Sequence, residues 1–179
     1  MNYKTHRVGG ICSGIIASTL LISKDISFNN LLASGIIVYG ASIGCCIPDI
    51  DKSTSKIGRK PLIKPISLMI QKTFGHRTIT HSLIMSLFTS LILLFSTYYV
   101  KGPVHFLYSN FIIGCCVGYL SHLLLDSMTV EGIPIFYPFV KKNYRICKFR
   151  TGKSEEFVSM LCVLGTGAVI ISYFSNFFS

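Results

Sequence analysis

Apolar residues along this chain gather into five long runs, at 8–22, 31–47, 79–100, 104–125 and 157–178, and the segments between them hold almost all the charge. A helix that crosses a bilayer needs about 20 mostly apolar residues, with roughly 17 to 25 usual. Four runs meet that length and the first is short. The pattern therefore predicts an all-α, polytopic membrane bundle of about five helices, the first being a short span or a re-entrant or tilted helix. Between the second and third runs, Leu62, Ile63, Ile66, Met69 and Ile70 recur at near-helical spacing beside Lys64 and Lys72. That stretch reads either as a short interfacial helix, apolar side in the lipid, or as a loop packed on the bundle.

Composition agrees with the pattern. Half of the residues are hydrophobic and 13% are charged, with a mean hydropathy of +0.57, whereas a soluble domain carries about 25% charged residues. This excludes an ordinary soluble fold, and 179 residues suit one membrane-embedded unit, 1–179, without a separate soluble domain. Lys4 and Arg7 before the first run suggest a signal peptide, but no small-residue cleavage site follows and further spans do. The seven cysteines, Cys12, Cys45, Cys46, Cys115, Cys116, Cys147 and Cys162, match neither a disulfide framework nor a CxxC zinc site and read as packing residues. Gly10 and Gly14, Gly40 and Gly44, and Gly114 and Gly118 form three GxxxG pairs, a pattern that lets membrane helices approach closely.

If five spans alternate in direction, one face receives the N-terminus, residues 48–78 and residues 126–156. Of the 17 Lys and Arg, all but Lys24 and Lys101 fall on that face. Cytoplasmic loops carry the excess of Lys and Arg, so this face is predicted to be cytoplasmic. The ionisable residues sort the same way. His6 precedes the first run, Asp49 and Asp51 end the second, and His76 and His81 open the third. His122 and Asp126 close the fourth, and Glu155 and Glu156 open the fifth. Asp25 and His105 fall on the other face, and Glu131 lies in a cytoplasmic loop.

Nine ionisable groups from five helix ends thus share one layer. Ionisable groups at membrane depth are costly and tend to mark function. His122 and Asp126 stand four apart on a helix, hence on one face, and together suit one ion. Mixed imidazole and carboxylate ligands favour zinc, manganese or iron over magnesium or calcium. With this many candidate ligands, two or three ions fit the pattern, and paired ions are suited to phosphoester hydrolysis. Arg77 and Ser82 flank the histidines, and arginine is shaped to hold a phosphate or carboxylate. Lys52, Arg59, Lys60, Lys141, Lys142, Arg145, Lys148 and Arg150 ring the same mouth. They read either as a membrane-surface charge or as a funnel for an anionic substrate.

The motifs HRVGG, PDIDKSTSKIGR, GHRTITHSL, GYLSHLLLDSMTVEGIPIFYPF and TGKSEE occur in that order from His6 to Glu156. Together they resemble the YdjM family of inner-membrane proteins, regarded as metal-dependent hydrolases. The resemblance implies that His6, Asp49, Asp51, His76, His81, His122 and Asp126 are metal-site residues. The terminal motif departs from the family's G-S-x-x-E; alignment on Gly152 favours Glu156 over Glu155. The HxxxD helix is also similar, more distantly, to that of zinc-dependent phospholipase C and the P1-type nucleases, which makes phosphoesters the leading substrate class by analogy.

The resulting expectation is a multi-pass membrane hydrolase with divalent ions, zinc first, at its cytoplasmic mouth. Arg77 would steady an anionic ester, and Asp51 or Glu156 would act as general base. Its partners would be membrane lipids and an anionic small-molecule or lipid substrate, with nucleic acid a remote alternative. A transporter or metal-ion carrier, and a non-catalytic membrane-anchored binding module, are the rival readings.

Overall fold

The computed structural model describes residues 1–22 and 27–178; Lys24 and Asp25 lie outside the described residues. Among those described there are six α-helices and no β-strand: α1 (Tyr3–Leu21), α2 (Phe28–Gly44), α3 (Lys64–Phe74), α4 (Leu83–Thr97), α5 (Pro103–Ser127) and α6 (Glu155–Phe178). Short polar side chains start the first, second and fourth. Asn2 accepts from Thr5 N, Ser27 from Asn30 N and Ser82 from Met85 N, each satisfying an amide that the helix leaves unpaired. Pro103 opens α5 behind Gly102, whose φ of 75° suits a glycine.

Helices α1, α2 and α5 pack mutually, α4 lies against α5, and α6 lies against α1. All three GxxxG pairs sit at the inner crossings. A Cβ on Gly10 would come within 2.8 Å of the Ala41 carbonyl oxygen, and one on Gly14 within 2.9 Å of Val38 Cα. On α2 and α5, a Cβ at Gly40, Gly44, Gly114 or Gly118 would meet a carbonyl oxygen of the facing helix at 2.1–2.3 Å. Backbone-to-backbone approach of this kind replaces the hydrophobic drive that lipid cannot supply between helices. The outer helices instead turn apolar side chains outward, among them Leu87, Phe88, Leu91 and Phe95 on α4, and Met160, Val163 and Leu164 on α6.

Among the described residues, three helical segments suffice by length and composition to cross a membrane: Phe28–Asp51, Pro103–Ser127 and Glu155–Ser175. The apolar stretch Leu83–Tyr99 is shorter. The run at 79–100 does not form one helix, because Ile79–His81 is a separate 3-10 turn and Ser82 caps α4 behind it. A second 3-10 turn, Pro48–Asp51, follows α2. The amphipathic stretch between the two turns does form a helix, α3, which buries Ser67, packs against the Pro48–Asp51 turn, and leaves Ile66, Leu68 and Met69 exposed. Residues after α5 fold back over the same end of the bundle. There Ile133 packs with Tyr119 and Leu123, and the Ile135 carbonyl accepts from Leu83 N.

Candidate metal centre

Four chain segments meet beneath that cover. The first turn of α1 supplies His6, the turn after α2 supplies Asp49 and Asp51, the turn before α4 supplies His81, and the last turns of α5 supply His122 and Asp126. His6, Asp51, His81, His122 and Asp126 are all buried, and Asp49 is half-buried. The Nε2 atoms of His81 and His122 stand 3.2 Å apart, and Asp126 Oδ2 lies 3.4 Å from the former and 3.5 Å from the latter. Asp126 Oδ1 faces His6 Nε2 at 3.3 Å. The His6 and His122 rings stack at 3.7 Å. Among the described residues, two overlapping groups have ligand-type atoms close enough to hold a metal ion: His6 with His122 and Asp126, and Asp49 with His81 and His122.

The far sides of the His122 and His81 rings are tied down. His122 Nδ1 lies 2.7 Å from the Cys45 carbonyl oxygen. A carbonyl only accepts, so Nδ1 carries the proton and the Nε2 lone pair faces the cluster. His81 Nδ1 lies 3.2 Å from Asp51 Oδ2 and 3.0 Å from Thr80 Oγ1. Carboxylates and carbonyls behind histidines fix tautomer and ring orientation in metal sites. His6 Nδ1 is buried with no hydrogen-bond partner, and such an orphan is rare enough to need a reason.

Asp51 differs from Asp49. Its two oxygens accept from Arg77 N at 2.9 Å and Thr80 Oγ1 at 2.6 Å, and they face His76 Nδ1 at 2.9 Å and His81 Nδ1 at 3.2 Å. These donors fill the carboxylate and lock the turn before α4 onto the turn after α2. The Asp49 side chain has no partner among the described residues, and its oxygen is left for the cluster. His76 is one-third exposed and meets His81 edge-on; it reaches the cluster's rim through Asp51.

Arg77 adopts a left-handed φ of 57°, an uncommon conformation that places its backbone N–H on Asp51. Its guanidinium bonds Asp126 Oδ1 at 3.2 Å and also pairs with Glu131. The terminal ammonium of Met1 lies 2.6 Å from the same Asp126 oxygen, so that carboxylate gathers positive charge from several directions. Ser82 is the cap of α4. Glu155 accepts from Asn2 N at 2.8 Å and also from Asn2 Nδ2, which steadies the start of α1, and Glu156 lines a cavity there with Lys4 and Lys153. Neither glutamate belongs to the two ligand-type groups. His105, near the start of α5, bonds the Val100 carbonyl and sits 17 residues from His122, roughly 25 Å along the helix.

His81 lies in the turn ahead of α4. Burial alone would lower its pKa, but the hydrogen bonds and charges of Asp126 and Asp51 outweigh that and push it up to about 9. With no ion present, a proton on His81 therefore offsets the two buried carboxylates.

Thr80, Tyr119, the Cys45 carbonyl and Glu131 complete the site, and sequence patterns alone do not single them out. Tyr119 donates to the Thr80 carbonyl at 2.7 Å and rivets the turn to α5. Backbone carbonyls leave no mark in a sequence, and Thr80 is visible only as a polar residue beside a histidine.

The sequence matches the YdjM inner membrane protein family over residues 1–177. It is 36% identical over 147 residues to the inner membrane protein YdjM of Escherichia coli K12, covering 80% of this chain and 71% of that protein. It is 33% identical over 156 residues to the YvsG protein of Bacillus subtilis 168, covering 87% and 85%. No solved structure matches it. The chain belongs to the YdjM family of inner membrane proteins.

Proposed function

We propose that this chain is one multi-pass unit, residues 1–179, that hydrolyses a phosphoester or similar anionic ester with divalent metal at the cytoplasmic face of the membrane. The observation that carries this reading is the triangle of His81 Nε2, His122 Nε2 and Asp126 Oδ2, with edges of 3.2, 3.4 and 3.5 Å. Ligand atoms about 2.0–2.1 Å from a tetrahedral zinc stand about 3.3 Å apart. The donor set suits zinc first and manganese or iron next. His6, Asp49, His81, His122 and Asp126 would hold the metal, with room for more than one ion, while Asp51 orients His81 and His76. The concentration of Lys and Arg at this end supports the cytoplasmic orientation.

When bound, the metal would supply Lewis acidity and lower the pKa of water. His76, backed by Asp51 and one-third exposed, is placed to carry a proton between the site and solvent. Arg77 neutralises Asp126 and also pairs with Glu131. Glu156 stands outside this arrangement, in the neighbouring cavity.

Metal binding should depend on pH. His81 binds metal only when neutral, so loading must displace its proton. Affinity should rise by about tenfold per pH unit up to about 9 and then level off. Competition with a zinc indicator across pH 6–10 measures this, and a flat profile contradicts it. The sign is opposite for the metal-free protein. The stability supplied by protonated His81 is full below its ordinary 6.5 and is lost as pH passes about 9.

The function itself is tested on purified, zinc-loaded protein with aryl phosphate mono- and diesters. Turnover should vanish on chelation and return with zinc. Stoichiometric metal without turnover, together with metal flux into proteoliposomes, would instead establish a carrier.

A further inference from the structure

Beside the metal cluster, across the crossing of α1 and α2, lies a second cavity of about 210 Å³ lined by Tyr3 and Arg7 of α1, Tyr39, Ser42 and Ile43 of α2, and Cys46, Lys56, Ile57 and Lys60 of the turns that follow. Three cations and no acid line it. None of the three forms an ion pair among the described residues, although Lys56 Nζ sits 4.2 Å from the centre of the Tyr3 ring. Each wall is one face of its element: Tyr3 and Arg7 are four apart, and Tyr39, Ser42, Ile43 and Cys46 follow helical spacing.

The cavity is polar at one end and apolar at the other. Arg7, Lys56 and Lys60 belong to the charged end of the bundle. Along α2 the wall descends from Ile43 to Tyr39, four residues or about 6 Å. Tyr39 and Ile43 are partly exposed at 61% and 36%, so the lower part opens sideways where a spanning helix meets lipid tails. A soluble anion would use the cations and leave this apolar wall empty; an amphiphile fills both.

We propose that this cavity binds the phosphate group of an anionic membrane lipid, with its acyl chains lying along Tyr39 and Ile43. The site is separate from the metal centre and needs no metal. It also differs from diffuse attraction between a basic surface and anionic headgroups, because cations from two separate segments, α1 and the turns after α2, line one cavity.

The test is native mass spectrometry of the full-length, chelator-treated protein in detergent, titrated with phosphatidylglycerol, phosphatidylcholine and glycerol 3-phosphate. A variant combining R7Q, K56Q and K60Q should lose phosphatidylglycerol affinity by about fivefold per cation, or about a hundredfold in all. A charge-matched control combining K141Q, K142Q and K148Q, cations that do not line the cavity, should lose less than about threefold, because detergent offers no anionic bilayer surface. The altered side chains are exposed, and unchanged circular dichroism verifies the fold. Equal losses in both variants would overturn the proposal in favour of general surface charge. Glycerol 3-phosphate binding as tightly as the lipid would overturn it in favour of a soluble ligand. Because the protein is metal-free throughout, failure here leaves the hydrolase reading standing, and the reverse also holds.

Discussion

Replacing His122 with alanine is expected to strip the protein of bound metal, with affinity falling by more than about a hundredfold. His122 belongs to both ligand-type groups, so its loss leaves neither complete. Outer partners of metal ligands are worth about 10- to 100-fold in affinity, and a shared inner ligand should exceed that. Asp51→Asn, which weakens the grip on His81 and His76 without removing a proposed ligand, should fall within the smaller range. His105→Ala should change nothing, since its ring is occupied at the opposite end of α5. Elemental analysis of the purified proteins measures all three. His122 is fully buried and stacked on His6, so circular dichroism must accompany it. A folded His122→Ala protein that retains stoichiometric metal would refute the centre as drawn.

The second large effect is expected from a single added methyl group far smaller than an imidazole. Gly118→Ala would place Cβ 2.2 Å from the Ala41 carbonyl oxygen and 2.7 Å from Cys45 N. Backbone atoms cannot swing aside, so α2 and α5 must separate. Alanine favours a helix over glycine by about 1 kcal/mol, yet overpacking of this kind costs about 1–3 kcal/mol or more. The net result should be a lower unfolding temperature in detergent. The metal centre should suffer too, because the Cys45 carbonyl that holds His122 lies at this crossing. Gly165→Ala on α6 is the control: its Cβ would meet nothing within 4 Å. An unchanged midpoint for Gly118→Ala would mean the helices are not packed this closely.

The helices were legible because hydropathy has the right period and length, and the common level of the site residues followed from alternating direction. Hydropathy overran at the third run. Ile79 looks like helix, but Thr80 and His81 are drawn into hydrogen bonds with Asp51 and form a turn that no local pattern encodes. The GxxxG pairs, common by chance in apolar sequence, acquire meaning only from the facing backbone. Asp49 and Asp51 also illustrate the limit. Their spacing puts both at the end of α2, but whether a carboxylate is filled depends on donors from residues 76–81. Arg77, expected to face a substrate, pairs with Asp126 and Glu131, and no spacing in the sequence links it to either.

The cluster draws on positions 6 through 126, and that span has a consequence for biogenesis. As the chain emerges from the ribosome and enters the bilayer, His6 arrives first and waits for partners that appear only once α5 is made. Contacts so distant in sequence form late. Until then, the two carboxylates and three imidazoles are separate polar groups on separate segments. A chain truncated before His122 would hold neither ligand group, however well the helices before it had folded. Metal occupancy would then report not only on chemistry but on whether the whole bundle had been correctly assembled.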